Sequence, residues 1–318
     1  MRKLCSKGHR RIPIEKSCIM RTRIILNGKK ARLKSVRDAI SETRKQTHSL
    51  EVRATYESGD VERLVNEAIA EGVERIIAGG GDGTVNVVAD ALVKLPRRPE
   101  LAIMPLGTAN DFATACNIPR DPVAALSLAV DGKSTPIDIG RANERHFVNV
   151  ATGGFGAEVT VDTPVELKNF LGGGAYTLTG LVKAMNFAPY RGKFVTHEVE
   201  LSGAAIVGAV CNGRQAGGGQ VLAPNASIDD GLLDVLIVKD FSARDLPQVI
   251  DELLNPSPEG EFVMLFQAPW VEMSAHGKIV PVNLDGEPYR SKVIRFEVLP
   301  GAIELVLPEF CPLLKKAH

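Results

Sequence analysis

The 318 residues carry 38 basic and 38 acidic side chains, a formal net charge of zero that gives no electrostatic argument for a nucleic-acid partner. Hydrophobic content of 44% and charged content of 24% are ordinary for a soluble globular chain, and the length suggests two domains with room for a core in each. No run reaches the roughly 18 apolar residues of a membrane span. The five scattered cysteines (Cys5, Cys18, Cys116, Cys211 and Cys311) have neither metal-ligand spacing nor a disulfide framework, which points to a cytoplasmic protein with at most peripheral membrane contact.

Residues 1–19 hold Arg2, Lys3, Lys7, Arg10, Arg11 and Lys16 against Glu15 alone, leaving the rest of the chain net acidic. This stretch lacks the apolar region of a signal peptide. It reads as a disordered basic leader or as sequence upstream of a functional start at Met20; the alternative is a polybasic tether to anionic lipid.

From residue 22 to about 131 the chain alternates strands (22–27, 50–55, 73–78 and 101–104) with helices (about 30–46, 60–71 and 84–95). The helix at 60–71 places Val61, Leu64, Val65, Ala68 and Ile69 on one face, and the next does the same with Val85, Val88, Ala89, Leu92 and Val93, the i, i+3, i+4 spacing of an amphipathic helix. Such alternation predicts a parallel, doubly wound sheet, and ligands in these sheets bind beyond the carboxyl ends of the strands.

At one such end stands Ile76-Ile-Ala-Gly79-Gly80-Gly81-Asp82-Gly83-Thr84-Val85-Asn86. Glycine permits positive φ and close backbone approach, and the following helix turns its positive end to the same spot. Amides for phosphate oxygens and Asp82 for a divalent cation or its water shell would suit a nucleotide. The stretch is neither a Walker loop, having no lysine, nor a dinucleotide fingerprint, since positions 84 and 86 are Thr84 and Asn86. The bland reading is a tight turn, for which one or two glycines suffice. A second strand end, Pro105-Leu-Gly-Thr-Ala-Asn-Asp-Phe112, offers Thr108 for phosphate and Asn110 and Asp111 to shape the cleft or cap a helix. Asn27-Gly28-Lys29 and Thr55 complete four loops on one rim.

Beyond about residue 135 short β-rich runs dominate: 145–150, 193–201, 204–211, 232–238, 262–267, 270–275, 279–284, 292–299 and 303–307. They predict an antiparallel sandwich, with helices near 164–187 and 243–254. Segment 164–187, with Leu167, Phe170, Leu171, Tyr176, Leu178, Leu181 and Phe187, suits an acyl groove wall, a membrane-facing flap or a helix packed on the sandwich. Arg214 is a candidate for a lipid headgroup or a surface arginine. Asp229-Asp230-Gly231 reads as a turn with two carboxylates able to hold a hard cation. Asp285-Gly286-Glu287 reads as an acidic hairpin turn or as a base able to take a hydroxyl proton. The six histidines have no ligand partner at useful spacing.

The ordered set Gly79-Gly-Gly-Asp-Gly-Thr-Val-Asn86, Pro105–Phe112, Ala151-Thr-Gly-Gly-Phe-Gly156, Asn212-Gly-Arg-Gln-Ala-Gly-Gly-Gly219, Asp230-Gly-Leu-Leu233, Asn283-Leu-Asp-Gly-Glu-Pro288 and Val298-Leu-Pro-Gly301 resembles the diacylglycerol kinase catalytic domain family, and more closely its bacterial YegS-type lipid kinases. The similarity runs from residue 22 almost to the end. The Gly-Gly-Asp-Gly-Thr loop alone is shared with NAD kinases and phosphofructokinases. The resemblance implies an α/β nucleotide domain (20–138), a β-sandwich lipid domain (139–300) and a C-terminal segment (301–318) packing back on the first. It implies ATP, Mg2+ and phosphorylation of a lipid hydroxyl, diacylglycerol- or phosphatidylglycerol-like, at a membrane surface, by a monomer or homodimer. Glu287 matches the family's proton acceptor, with Asp285 as metal or hydrogen-bond partner and Asp82 at the catalytic loop. Nucleotide contacts fall on Thr55, on Gly79, Gly80, Gly81, Asp82, Gly83, Thr84, Val85, Asn86 and Val87, and on Thr108. A separate Mg2+ or Ca2+ site would use Asp230 with the carbonyls of Ser227 and Leu232. The rival readings are an NAD- or sugar-type kinase sharing the loop, and a catalytically silent lipid- or nucleotide-binding regulator.

Overall fold

Four runs of alternating aliphatic residues form the parallel sheet at the start of the chain: β1 (Thr22–Asn27), β2 (Leu50–Thr55), β3 (Arg75–Gly80) and β4 (Glu100–Pro105), ordered β2-β1-β3-β4. The computed structural model describes residues 20–46, 49–154, 189–198 and 200–315; the leader 1–19 and the apolar segment 164–187 lie outside them. Successive strand side chains face opposite ways, so Ile24, Leu26, Ile77, Ala102 and Met104 bury one face, while Ile25, Ile76, Ala78, Leu101 and Ile103 bury the other. Helices α1 (Lys34–Gln46) and α5 (Pro122–Asp131) cover the first face through Val36, Ala39, Ile40, Ala125, Leu126 and Ala129. Helices α2 (Asp60–Ala70), α3 (Asp82–Val93) and the short α4 (Asp111–Ala115) cover the second. This is the doubly wound arrangement that the alternation predicts.

Two buried arginines pin the amino ends of the strands. Arg23 reaches Glu51 and Glu71 at 2.6 and 2.5 Å. Arg75 bonds Glu100 and donates to the carbonyls of Ala129, Val130 and Gly132. The carboxyl ends are left open for the site.

The second half is antiparallel and continuous with the first. β5 (Ser134–Ala142) and β6 (Arg145–Phe147) form a hairpin, and β7 (Val150–Gly154), β8 (Tyr190–Val195), β9 (Glu200–Cys211), β12 (Leu233–Lys239), β13 (Val263–Ala268), β14 (Trp270–Ser274), β15 (Val280–Leu284), β16 (Glu287–Ser291) and β17 (Val293–Val306) follow, with the small ribbon β10 (Gln215–Ala216) and β11 (Gln220–Val221) between. Alternation again divides the core: Leu233, Val235 and Ile237 of β12 face a cluster with Val282, Ile294 and Phe296. Leu236 and Val238 face another under α6 (Leu246–Leu254).

β17 joins the halves. Its first part pairs with β14 and β5, and Leu305 pairs in parallel with Leu101 of β4. Two strands at 292–299 and 303–307 were expected; there is one, with its register shifted between Leu299 and Ile303 where Gly301 takes φ 56°. Ile303, Leu305, Leu307, Cys311 and Leu313 enter the same core as α2 and α3. β5 has no counterpart in the sequence reading because Pro136 and Gly140 look like breakers. Pro136 pairs on β17, and Gly140 is required because a Cβ there would lie 2.2 Å from the Phe147 ring. The strand expected at 145–150 splits in two, since the amides of Val148 and Asn149 turn away to a carboxylate.

Candidate active site

The glycine loop differs from the expectation in an informative way. β3 continues through Gly79 and Gly80, and α3 begins at Asp82 rather than at 84, so Gly81 alone (φ −93°, ψ −171°) separates strand from helix. None of Gly79 to Gly83 is among the glycines of positive φ. These glycines serve close approach instead. A Cβ on Gly79 would lie 2.8 Å from Leu26 Cδ1, one on Gly80 would lie 2.2 Å from Thr84 Oγ1, and one on Gly107 would lie 2.6 Å from Gly81 Cα. The two phosphate-loop candidates therefore touch backbone to backbone at the ends of β3 and β4. Leu106 N donates to Gly80 O at 2.7 Å across the same junction.

Asn110, at φ 52°, shapes the second loop: Gly107 N donates to its Oδ1 at 2.8 Å, and its Nδ2 donates to Gly107 O at 2.9 Å. Thr108 is left exposed at the rim. Asp82 occupies the first position of α3, where the amides lack intrahelical acceptors, and its Oδ1 accepts from Phe112 N at 3.3 Å. Asp111 Oδ2 accepts from Gly218 N at 2.8 Å. Burial pushes the Asp111 carboxyl up, the Gly218 amide opposes this, and the charge of Asp82 adds to it. Two carboxylates thus repel one another beside an open helix N-terminus. A hard cation shared with phosphate oxygens would relieve that repulsion, so the residues fit Mg2+ bound with a nucleotide. Among the described residues no three-membered His, Cys, Asp or Glu cluster stands ready to hold a metal alone.

Along the rim, Asn27, Gly28, Lys29, Arg32, Thr55 and Tyr56 line an open cavity of about 760 Å³ at the ends of β1 and β2. Gly28 is pressed against Thr55, whose carbonyl accepts its N–H at 3.1 Å. Val85 is in the core beneath α3, so only its backbone faces the rim. Asn86 is also buried, and its amide donates to Asp285 Oδ2 at 2.7 Å.

Asp285 and Glu287 divide their work. Asp285 sits at φ 49° and its carboxylate accepts from Asn86 Nδ2 and from the amides of Val148, Asn149 and Val150. Burial pushes the Asp285 carboxyl up and these donors pull it back. The left-handed Gly286, φ 101°, turns the chain so that Glu287 leaves the buried cluster and is exposed. Its Oε1 lies 3.9 Å from where a Cβ on Gly83 would be. A carboxylate about 200 residues downstream in the sequence is thereby set over the first turn of α3.

Other candidates are placed elsewhere. Arg214 points inward, with Nε on Ala226 O at 2.8 Å. Asp230 Oδ1 accepts from Leu232 N at 3.1 Å, while burial, Asp138 and Asp229 push its carboxyl up against the pull of that amide and Lys315. Ser227 is buried beside it. Sequence reasoning missed His146, whose Nδ1 lies 2.8 Å from Asp90 Oδ1; the polar residues recurring at every fourth position of α3 were the available signal. It also missed that Cys116 and Cys311 meet: burial raises Cys116 well above an ordinary thiol, whereas a hydrogen bond with Cys116 holds Cys311 at about 7.

The diacylglycerol kinase catalytic domain family matches residues 21–142, and the YegS C-terminal NAD kinase beta sandwich-like domain matches residues 150–307. A Shewanella frigidimarina protein described as "Probable lipid kinase YegS-like" is 52% identical over 92% of this chain and 95% of its own length. One from Pseudomonas aeruginosa with the same description is 44% identical over 92% and 96%. The crystal structure of a diacylglycerol kinase from Bacillus anthracis shares the fold, with a TM-score of 0.72 over 92% of this chain and 99% of that one at 22% identity. With its α/β catalytic half, its sandwich half and the ordered loops between them, the chain belongs to the YegS-like lipid kinases of the diacylglycerol kinase catalytic-domain family, phosphotransferases that use an alcohol as acceptor.

Proposed function

We propose that this protein transfers the γ-phosphoryl group of ATP to the hydroxyl of a glycerolipid, diacylglycerol- or phosphatidylglycerol-like, with Glu287 taking the hydroxyl proton. The observation that carries this reading is the approach of Glu287 Oε1 to Gly83, which sets a carboxylate from the lipid-domain side against the anion-binding end of α3. Phosphoryl transfer asks the protein to anchor phosphates and orient the nucleophile. The first-turn amides of α3 and the hydroxyls of Thr84 and Thr108 serve the phosphates. The rim cavity at Thr55 is open to the nucleoside. Asp82, with Asp111 beside it, would hold Mg2+, which supplies charge neutralisation at the phosphates. Glu287 accepts the proton as the new P–O bond forms. The loop at Ser227, Asp230 and Leu232 is a second proposed cation site, supported by the carboxylates of Asp138 and Asp229 beside the half-buried Asp230.

Lipid access requires peripheral contact with a membrane; among the described residues no helix is long and apolar enough to cross one. Labelled ATP, Mg2+ and a lipid extract, with NAD and sugars as parallel acceptors, test the reading. Label should enter lipid, and transfer to NAD or sugar alone would overturn it. Glu287→Gln should lower turnover by at least about a hundredfold, the usual worth of a positioned base, with ATP affinity by calorimetry unchanged. Full activity in that variant removes Glu287 from the chemistry.

A further inference from the structure

Helix α3 carries Asp82, Asn86, Asp90 and Lys94 at every fourth position from its first residue to its C-cap, and residues spaced by four share one helix face. Apart from Gly83 and Thr84, the rest of the helix is apolar. Asn86 and Asp90 are nevertheless buried, at 6% and 9% exposure. Burying polar side chains is costly unless they are bonded, and each is bonded to the same strip of the sandwich half. Asn86 Nδ2 donates to Asp285 Oδ2 at 2.7 Å and lies 3.4 Å from His146 O. Asp90 Oδ1 accepts from His146 N at 3.2 Å and meets His146 Nδ1 at 2.8 Å, while Lys94 Nζ bonds its other oxygen at 2.6 Å. Asp285 in turn gathers the amides of Val148, Asn149 and Val150 and returns its own N–H to Val150 O at 3.1 Å.

We propose that Asn86 is a positioning residue, acting through Asp285 to hold Glu287 over the first turn of α3, with Asp90 and His146 fixing the same strip one turn further on. This deepens the kinase reading and rests on it. The phosphate-binding helix and the turn bearing the base are joined by one amide–carboxylate bond, and only Gly286 separates Asp285 from Glu287. The Asn86 side chain is spent on this bond. Its removal therefore leaves the amides of the helix end in place and loosens the acceptor side of the site.

The test is Asn86→Leu, which keeps the volume and removes the donor. The expected result is a fall in kcat of ten- to a hundredfold, with KM for ATP and the calorimetric affinity for Mg2+-ATP within twofold of wild type. Faster amide hydrogen exchange at residues 148–150 and 283–287 is expected alongside it, a readout that needs no turnover. An Asn86→Leu/Glu287→Gln double variant no slower than Glu287→Gln would show that both act on the same step. Unchanged kcat in the folded variant overturns the proposal. So does a loss of nucleotide affinity equal to the loss of kcat, which would make Asn86 a nucleotide ligand. If Asn86→Leu does not fold, Asn86→Ser is judged by the same criteria. Failure of the kinase reading is separate: it is seen as absence of lipid phosphorylation by wild type, with the exchange result still free to come out either way.

Discussion

At the scale of single residues, the glycines around Asp82 do different jobs that their identical appearance in the sequence hides. A Cβ on Gly80 would collide with Thr84 Oγ1 and Cβ at 2.2 and 2.5 Å, whereas one on Gly83 meets only Glu287 Oε1 at 3.9 Å. Gly80→Ala should therefore destabilise the fold by about 1–3 kcal/mol through overpacking, measured by urea unfolding. Gly83→Ala should leave stability unchanged or slightly raised, alanine being the better helix former. It should instead reduce turnover, because the methyl group occupies space between the helix end and Glu287. Equal stability losses in both variants would refute the distinction. That the loop mattered was legible from four glycines around one carboxylate. Which glycine is structural and which borders the candidate base depends on the rotamer of Thr84 and on Glu287, the latter about 200 residues away in sequence.

Among the elements, the parallel sheet has a pinned end and a working end. Arg75 is 4% exposed and bonds Glu100 and three carbonyls at the amino end, while the loops of the candidate site occupy the carboxyl end. Arg75→Met leaves those carbonyls without that donor and Glu100 with Ser134 Oγ alone, and breaking such a buried pair costs about 3–5 kcal/mol. Thermal and urea unfolding should show that loss, with kcat and KM unchanged in the folded fraction. A change in KM for ATP would mean that the two ends are coupled. The strands and helices of this half were legible because period-2 and period-3.6 patterns are local. β5 was not, because Pro136 and Gly140 are breakers in isolation; pairing with β17 accommodates the first and the Phe147 ring requires the second.

For the molecule as a whole, two buried carboxylates give stability opposite pH dependences. Burial pushes Asp234 up to about 6, opposed by Gln267. A raised folded value means that its contribution is complete below the ordinary carboxylate range and is lost as pH rises through about 6. Burial also acts on Asp90, but His146 and Lys94 outweigh it and hold the group at about 2. Its contribution is present above the ordinary range and is lost as pH falls through about 2. Asp234→Asn should therefore flatten the stability profile between about pH 4 and 6, removing a slope worth on the order of 2–3 kcal/mol. Urea midpoints across that window measure it, and an unchanged slope would show that Asp234 titrates normally.

By itself the sequence determined the two-part texture of the chain, the set of loops that end on one rim, and the family, since these follow from local periodicity and from motifs short enough to read in order. The tertiary structure decided what those motifs do to one another. It brought Glu287 to Gly83 and Asn86 to Asp285, closed Gly81 against Gly107, set the free thiol of Cys116 beside that of Cys311, and turned Arg214 inward. The contacts of Glu287, Asp285 and Cys311 join segments some 200 residues apart. Such contacts are set by packing between distant segments, which leaves no periodic trace in either segment alone.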